Sequence, residues 1–244
     1  NNVFSFINTL ASGGLSLTVG SGIDTVTLNN VAGHASDNVI LNIGAGDNTI
    51  TATTIVGDVD VTGTDGVDDL TLTDIGGTIT ADLGAANNKV ILTNSLRLSY
   101  SVTLTTTSGN DDIDVSGIEG KLTMSLGGGN NVIVVDAVTG DLGLTTVGGN
   151  DGVTLNDITG ANTLTLGNGN NSVSLINNQA SGAVTITSGA DTDDITLENV
   201  AGQFSQTVTL TLGAGDNTIT ATTIVGDLDV IGTDGVDDLT LTDI

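Results

Sequence analysis

One position in this chain repeats the same chemistry from end to end. Asp24, Asn48, Asp68, Asn88, Asp111, Asn131, Asp151, Asn171, Asp193, Asn217 and Asp237 each stand two residues before an aliphatic residue, and carboxylate and carboxamide alternate without a break. Ionised aspartate only accepts hydrogen bonds, whereas asparagine both donates and accepts. If the segments carrying them stack as neighbouring strands, about 4.8 Å apart, an unbroken column of carboxylates would repel itself strongly in a partly buried place. Alternation doubles the distance between charges and sets an amide donor between two acceptors. Such a mixed ladder satisfies its own hydrogen bonds, and its true repeat is a two-turn unit of roughly forty residues.

The elements that hold this column follow from the aliphatic landmarks beside it. These are Val26, Ile50, Leu70, Val90, Ile113, Ile133, Val153, Val173, Ile195, Ile219 and Leu239, spaced 20 to 24 residues apart. A short period this regular is the signature of a solenoid, in which each turn buries its apolar face only by stacking on its neighbours. The landmark and the residue two later, as in Leu70-Thr71-Leu72, are expected to point inward. Further inward residues follow at five, such as Ile55, Ile75, Ile118, Val138 and Ile158. Glycine comes at seven (Gly57, Gly77, Gly120, Gly140, Gly160, Gly226), where it is expected to supply a corner with positive φ. A second alternating strand closes the turn, as in Leu122-Thr123-Met124-Ser125-Leu126. Strand parity turns the Asp/Asn position inward, at the edge of the core. The predicted fold is all-β: a right-handed parallel β-solenoid (β-helix) of about 11–12 turns. Each turn is expected to have two long strands and a short third.

Composition agrees. Proline and cysteine are absent, aromatics are 2% and the hydrophobic fraction is 38%. Missing proline suits strands that donate to a ladder throughout. The net charge is −26, with only Lys89, Arg97 and Lys121 opposing 29 acids. Such a surface repels nucleic acid and anionic lipid, attracts cations and keeps a strand-rich body soluble. No apolar run approaches the roughly 20 residues of a membrane helix, so no membrane insertion is expected. Residues 41–75 and 210–244 align without gaps, 31 of 35 positions being identical. Residues 1–244 therefore read as one continuous solenoid and as a segment of a longer tandem-repeat chain.

Gly20-Ser21-Gly22-Ile23-Asp24-Thr25-Val26-Thr27 is similar to the RTX nonapeptide, G-x-G-x-D-x-U-x with U a large aliphatic residue. Gly66-Val67-Asp68-Asp69-Leu70, Gly109-Asn110-Asp111-Asp112-Ile113 and Gly235-Val236-Asp237-Asp238-Leu239 match its second half. The resemblance implies calcium between adjacent coils, with Asp24, Asp68, Asp111, Asp151, Asp193 and Asp237 as ligands. The chain departs from that family by carrying the motif once per turn, by placing Asn in alternate turns, by Ala86 in place of a glycine, and by a shifted Gly189-Ala190-Asp191-Thr192-Asp193. Calcium and the bare Asn/Asp ladder remain alternative readings of one column. More widely, the chain resembles bacterial β-strand-repeat surface proteins: giant adhesins, surface-layer proteins and fibre proteins.

Asp69, Asp112, Asp194 and Asp238 fall one before the landmark and are expected to face solvent, or to bridge neighbouring rods through divalent cations. Threonine follows the landmark in Thr27, Thr51, Thr71, Thr154, Thr196, Thr220 and Thr240; this row resembles ice-binding β-helices, but Ile91, Asp114 and Val134 interrupt it. Longer turns place extra residues at Gly33 to Asn38, Ser95 to Ser101, Asn178 to Gly182 and Gly202 to Thr207, a series of loops at one corner that holds His34, Arg97 and Tyr100. His34 has no nucleophile or base grouped with it in sequence. The expected function is structural and non-catalytic: a self-associating segment of an extracellular or cell-surface filament, matrix fibre or adhesin stalk. The alternatives are a calcium-dependent RTX-like β-roll module of a secreted protein and a polysaccharide-binding or degrading β-helix.

Overall fold

Alternation of inward aliphatics and outward threonine or aspartate produces two long parallel ladders that share one core. In this computed structural model residues 1–9, 13–31, 34–179, 181–201 and 206–244 are described, without the side chains of residues 94–99 and 201. Among them are 21 strands and no helix. The chain is a parallel β-solenoid of about 11 turns with about 20 residues per turn.

The first ladder contains the landmark strands. It runs Val3–Ile7, Thr25–Asn29, Thr49–Ile55, Asp69–Ile75, then the leading halves of Lys89–Thr105 and Asp112–Gly128. It continues through Val132–Val138, Gly152–Ile158, Ser172–Ile176, Asp194–Ala201, Thr218–Val225 and Asp238–Thr242. The second ladder begins with Leu15–Thr18, Val39–Gly44, Val59–Gly63 and Ile79–Asp82. It passes through the trailing halves of the same two long strands to Leu142–Gly148, Asn162–Thr165, Val184–Thr187, Thr207–Thr211 and Asp227–Ile231. Landmark sits opposite landmark: Val26 on Ile50, Ile50 on Leu70, Leu70 on Val90, Val90 on Ile113. The expected short third strand is reduced to single bridges at the glycine-rich turns, such as Asp65 to Ala85 and Ala85 to Ser108.

The core is a thin aliphatic column. Leu28, Ile50, Leu70, Leu92, Leu104 and their counterparts in the interior turns are buried, Leu15, Leu17, Leu228 and Val230 of the end turns are partly buried, and Leu239 and Leu241 of the last turn are exposed. Fully burying one such side chain contributes roughly 1.5–3 kcal/mol, and each one is covered by the turn on either side. Phe4 and Phe6 pack against the first end of this column. Phe204 lies outside the described residues.

The expectation of positive φ at the corner glycines is corrected. Of the glycines seven after the landmark, only Gly226 has positive φ; Gly57, Gly77, Gly120, Gly140 and Gly160 do not. They are required for space instead. A Cβ on Gly120 would overlap the Tyr100 carbonyl oxygen, and one on Gly57 the Asp37 carbonyl oxygen. The left-handed residue of this corner comes four after the landmark: Asn30 (φ 52°), Asp74 (55°), Gly117 (67°), Asp157 (54°), Asn177 (53°) and Asn199 (52°). Asn and Asp tolerate this region best among residues with a Cβ. Thr54 and Thr223, both at φ 58°, are β-branched exceptions.

The extra residues of the longer turns fall where expected in one case that the backbone defines. Opposite Ile118 stands Ser95, and opposite Gly120 stands Tyr100, so residues between them bulge out of register. Residues 32–33, 180 and 202–205, which belong to the other insertions, lie outside the described residues, as does the Arg97 side chain. His34 is exposed. Asn178 is not a loop residue: it is fully buried in the inward column otherwise held by Ile158 and Val200. The insertion begins after it.

Candidate functional site

The Asp/Asn column forms a continuous hydrogen-bonded ladder. Each turn arrives at it through a glycine with positive φ two residues earlier, such as Gly46 (108°), Gly66 (120°) and Gly109 (123°). This carries the polar residue to the core edge before the strand begins. The two departures in sequence, Ala86 (φ 90°) and Asp191 (φ 88°), keep the same left-handed sense. Asp24, Asn48, Asp68, Asn88, Asp111, Asn131, Asp151, Asn171, Asp193 and Asn217 are all buried, while Asp237 in the last turn is exposed.

Every side chain does the same first task. Its Oδ1 accepts the backbone N–H of the column residue one turn before, at 2.8–3.2 Å, from Asp24 N–H on Asn48 to Asn217 N–H on Asp237. The asparagines then use their amide fully. Nδ2 of Asn48, Asn131, Asn171 and Asn217 donates to Oδ1 of the following aspartate at 2.9 Å. Nδ2 of Asn48, Asn88, Asn131, Asn171 and Asn217 also donates to the carbonyl two residues earlier in its own turn, at 2.7–3.2 Å. The ladder begins earlier than the sequence suggested. Asn2, two before Phe4, donates its backbone N–H at 2.6 Å and its Nδ2 at 2.8 Å to Asp24 Oδ1. Phe4 pairs with Val26, so the first turn obeys the common template with an aromatic landmark.

The aspartates are not satisfied in the same way. Oδ2 of Asp24, Asp68, Asp151 and Asp193 is buried without a hydrogen-bond partner. Asp111 differs, because the Thr106 hydroxyl donates to its Oδ2 at 2.7 Å. Thr106 reveals a second alternating column, five residues before the first. Beside the asparagines stand Ile43, Leu83, Leu126, Leu166 and Leu212; beside the aspartates stand Gly63, Thr106, Thr146, Ser188 and Gly232, with Val19 the one large exception. A Cβ at Gly63 would lie 2.7 Å from Asp68 Oδ2, so that carboxylate oxygen is aimed at this position. Small or hydroxylated residues thus accompany every aspartate of the column but Asp24. Sequence reasoning missed this column, although the co-alternation is present in the sequence.

Burial sets the acidity. Desolvation of Asp68 raises its carboxyl from 3.8 to about 6, against the opposing hydrogen bonds from Asn48 and with a further upward push from Asp47. Desolvation also raises Asp111, and the Thr106 and Asn88 hydrogen bonds pull it back. An orphaned oxygen in this setting calls for a proton or a cation. The donor set is all oxygen, which suits a hard cation such as calcium. Each aspartate from Asp24 to Asp193 has an asparagine above and below it, and among the described residues no three acids, histidines or cysteines gather as a metal-holding group.

Outside this column Asp37 is also buried, its Oδ2 accepting the His34 N–H at 3.2 Å; the acids beside the landmarks lie nearer the surface. Asp112, Asp194 and Asp238 are exposed and Asp69 is half-buried. A further ladder, also missed, runs beside the first: Oδ1 of Asn87, Asn110, Asn130, Asn150 and Asn170 each accepts a backbone N–H of the next turn at 2.7–3.1 Å. Asparagine in five successive turns was its visible signal.

The chain matches no family model, no curated protein and no solved structure.

Proposed function

We propose that this chain is a load-bearing, non-catalytic rod: a self-associating segment of an extracellular or cell-surface filament, matrix fibre or adhesin stalk. The observation that carries the reading is the continuous parallel stacking of both ladders over about 11 turns, with a third, side-chain ladder parallel to them. Neighbour-to-neighbour stacking makes such a body stiff along its axis. The Asn/Asp ladder adds directional side-chain bonds at every junction between turns, beside backbone bonds such as Asp69 N–H to the Asn48 carbonyl at 2.8 Å. The acidic surface keeps the rod soluble and gathers counter-ions. The wider resemblance to bacterial β-strand-repeat surface proteins supports the same placement.

The orphaned Oδ2 atoms of Asp24, Asp68, Asp151 and Asp193 favour a second reading, in which calcium completes the ladder as in RTX-like modules. Those four residues with Asp111 and Asp237 would then each help to hold an ion in its own turn, and the ions would supply charge neutralisation inside the rod. Negative-stain electron microscopy with and without chelator tests both readings. Long thin filaments that persist in chelator are expected for the self-sufficient ladder. Filaments that dissolve in chelator would transfer the role to calcium, and short separate particles in both conditions would refute the filament.

A further inference from the structure

We propose that the outward face of the second ladder is an ice-binding surface. The threonine row visible in sequence lies on the first ladder and is broken by Ile91, Asp114 and Val134. The structure places a more regular array on the other side of the rod. Six consecutive strand segments of the second ladder present outward pairs two residues apart, from Thr103 and Thr105 to Thr209 and Thr211. Ten of these twelve positions are threonine, and the exceptions are Ser125 and Gly143. All twelve are half-exposed or exposed. The strands are parallel and in register, so the pairs form two straight columns.

Three features separate this face from ordinary solvent-facing strand. The first is charge. The chain has 29 acids, yet the twelve positions hold none, while Asp82 and Asp229 bound the patch on either side. Over the same turns the first ladder carries Asp114, Asp136 and Glu198 outward. The second is spacing: about 4.8 Å between strands and about 6.7 Å between paired residues, distances of the size that separate oxygens in the lattice of hexagonal ice. The third is rigidity. Threonine is stiff at χ1, so each hydroxyl and methyl is held in a fixed array before any water orders on it. A sugar lattice is a poorer fit, since sugar recognition draws on aromatic platforms and the twelve positions include none. An ionic partner finds no charge among the twelve positions, and the two charges that border them in one groove, Lys121 and Asp141, are of opposite sign.

The inference is independent of the mechanical reading and is tested on the whole chain. Wild-type protein is expected to slow ice recrystallisation and to partition into a growing ice front. Thr165→Lys places a charge in the centre of the array and is expected to lose most of that activity. Gly143→Thr completes the array; a Cβ at Gly143 meets nothing within 4 Å, so this variant is expected to bind ice better than wild type. Thr71→Lys, on the first ladder, is the control and is expected to behave as wild type. Circular dichroism confirms that each variant folds. Absence of activity in folded wild-type protein overturns the proposal, as does equal loss in Thr71→Lys and Thr165→Lys. Loss of side-by-side association in Thr165→Lys with ice activity intact would reassign the face to a second copy of the chain and also overturn it.

Discussion

Replacing Asp68 by asparagine should stabilise the solenoid at neutral pH when calcium is withheld. The Asp68 carboxyl holds its proton up to about pH 6 in the fold and only to 3.8 when unperturbed. Between these values the folded chain binds more protons than the unfolded one, so stability is greatest below 3.8 and falls as pH rises through about 6. At pH 7 the buried charge costs about 3 kcal/mol. Asparagine removes that cost and brings a donor that can reach the Gly66 carbonyl, as Asn48 reaches Gly46 at 2.7 Å. The Asn48 N–H and Nδ2 keep an Oδ1 acceptor. Asp68→Asn is therefore expected to gain roughly 1–3 kcal/mol at pH 7 and little below pH 4. Because solenoid turns open locally, the assay is hydrogen exchange at the Asn48, Asp68 and Lys89 amides, in chelator, from pH 4.5 to 7. Wild-type protection in these turns should itself deepen by roughly 2 kcal/mol as pH falls across that range. A variant less protected than wild type at pH 7 in chelator would refute the ladder account. A variant that loses a calcium-dependent gain seen in wild type would show that Asp68 is a metal ligand.

Three further outcomes follow from the packing. Thr54→Asn matches the left-handed backbone to the residue type used at Asn30 and Asn177, and thermal unfolding should show a gain of about 1 kcal/mol; no gain would mean the threonine is unstrained at φ 58°. Asn162 is fully buried with both amide atoms unpartnered, between Leu142 and Val184 in its ladder, so Asn162→Leu should stabilise by about 1–3 kcal/mol in denaturant titration. Gly120→Ala should cost about 1–3 kcal/mol by forcing two turns apart, whereas Gly143→Ala should be near neutral in the same melt; equal costs would contradict the distinction drawn between them.

Most of the fold was legible because its period is written in aliphatic residues. The landmarks from Val26 to Ile219 are buried, and the inward residues at two and five behave as expected. The Asp/Asn column was legible for the same reason: it keeps a constant distance from the landmark. What escaped shares a cause. Gly120 and Gly66 are the same letter used for different reasons, one for room beneath a neighbouring carbonyl and one for positive φ, and only stacked turns separate them. Thr106 stands five residues before Asp111, across the glycine turn, so its hydroxyl meets Oδ2 only once the corner is closed. Asn178 read as loop because an insertion follows it, yet its Oδ1 accepts the Ile158 N–H at 2.9 Å inside the core. The paired threonines of the second ladder keep the same spacing of 20 to 24 residues as the landmarks, and only the parallel register shows that they line up on one face.

The alternating ladder also works as a parity check. A turn that slipped past one neighbour would bring carboxylate onto carboxylate with small residue onto small, or carboxamide onto carboxamide with leucine onto leucine, so single-turn errors in stacking are penalised, whereas slips by two turns are not. The same rule constrains how such a chain can lengthen. The near-identical stretches 41–75 and 210–244 stand eight landmarks apart, an even number, so a copy joined at that distance keeps the alternation in phase. Turns in this architecture can be gained or lost only in pairs.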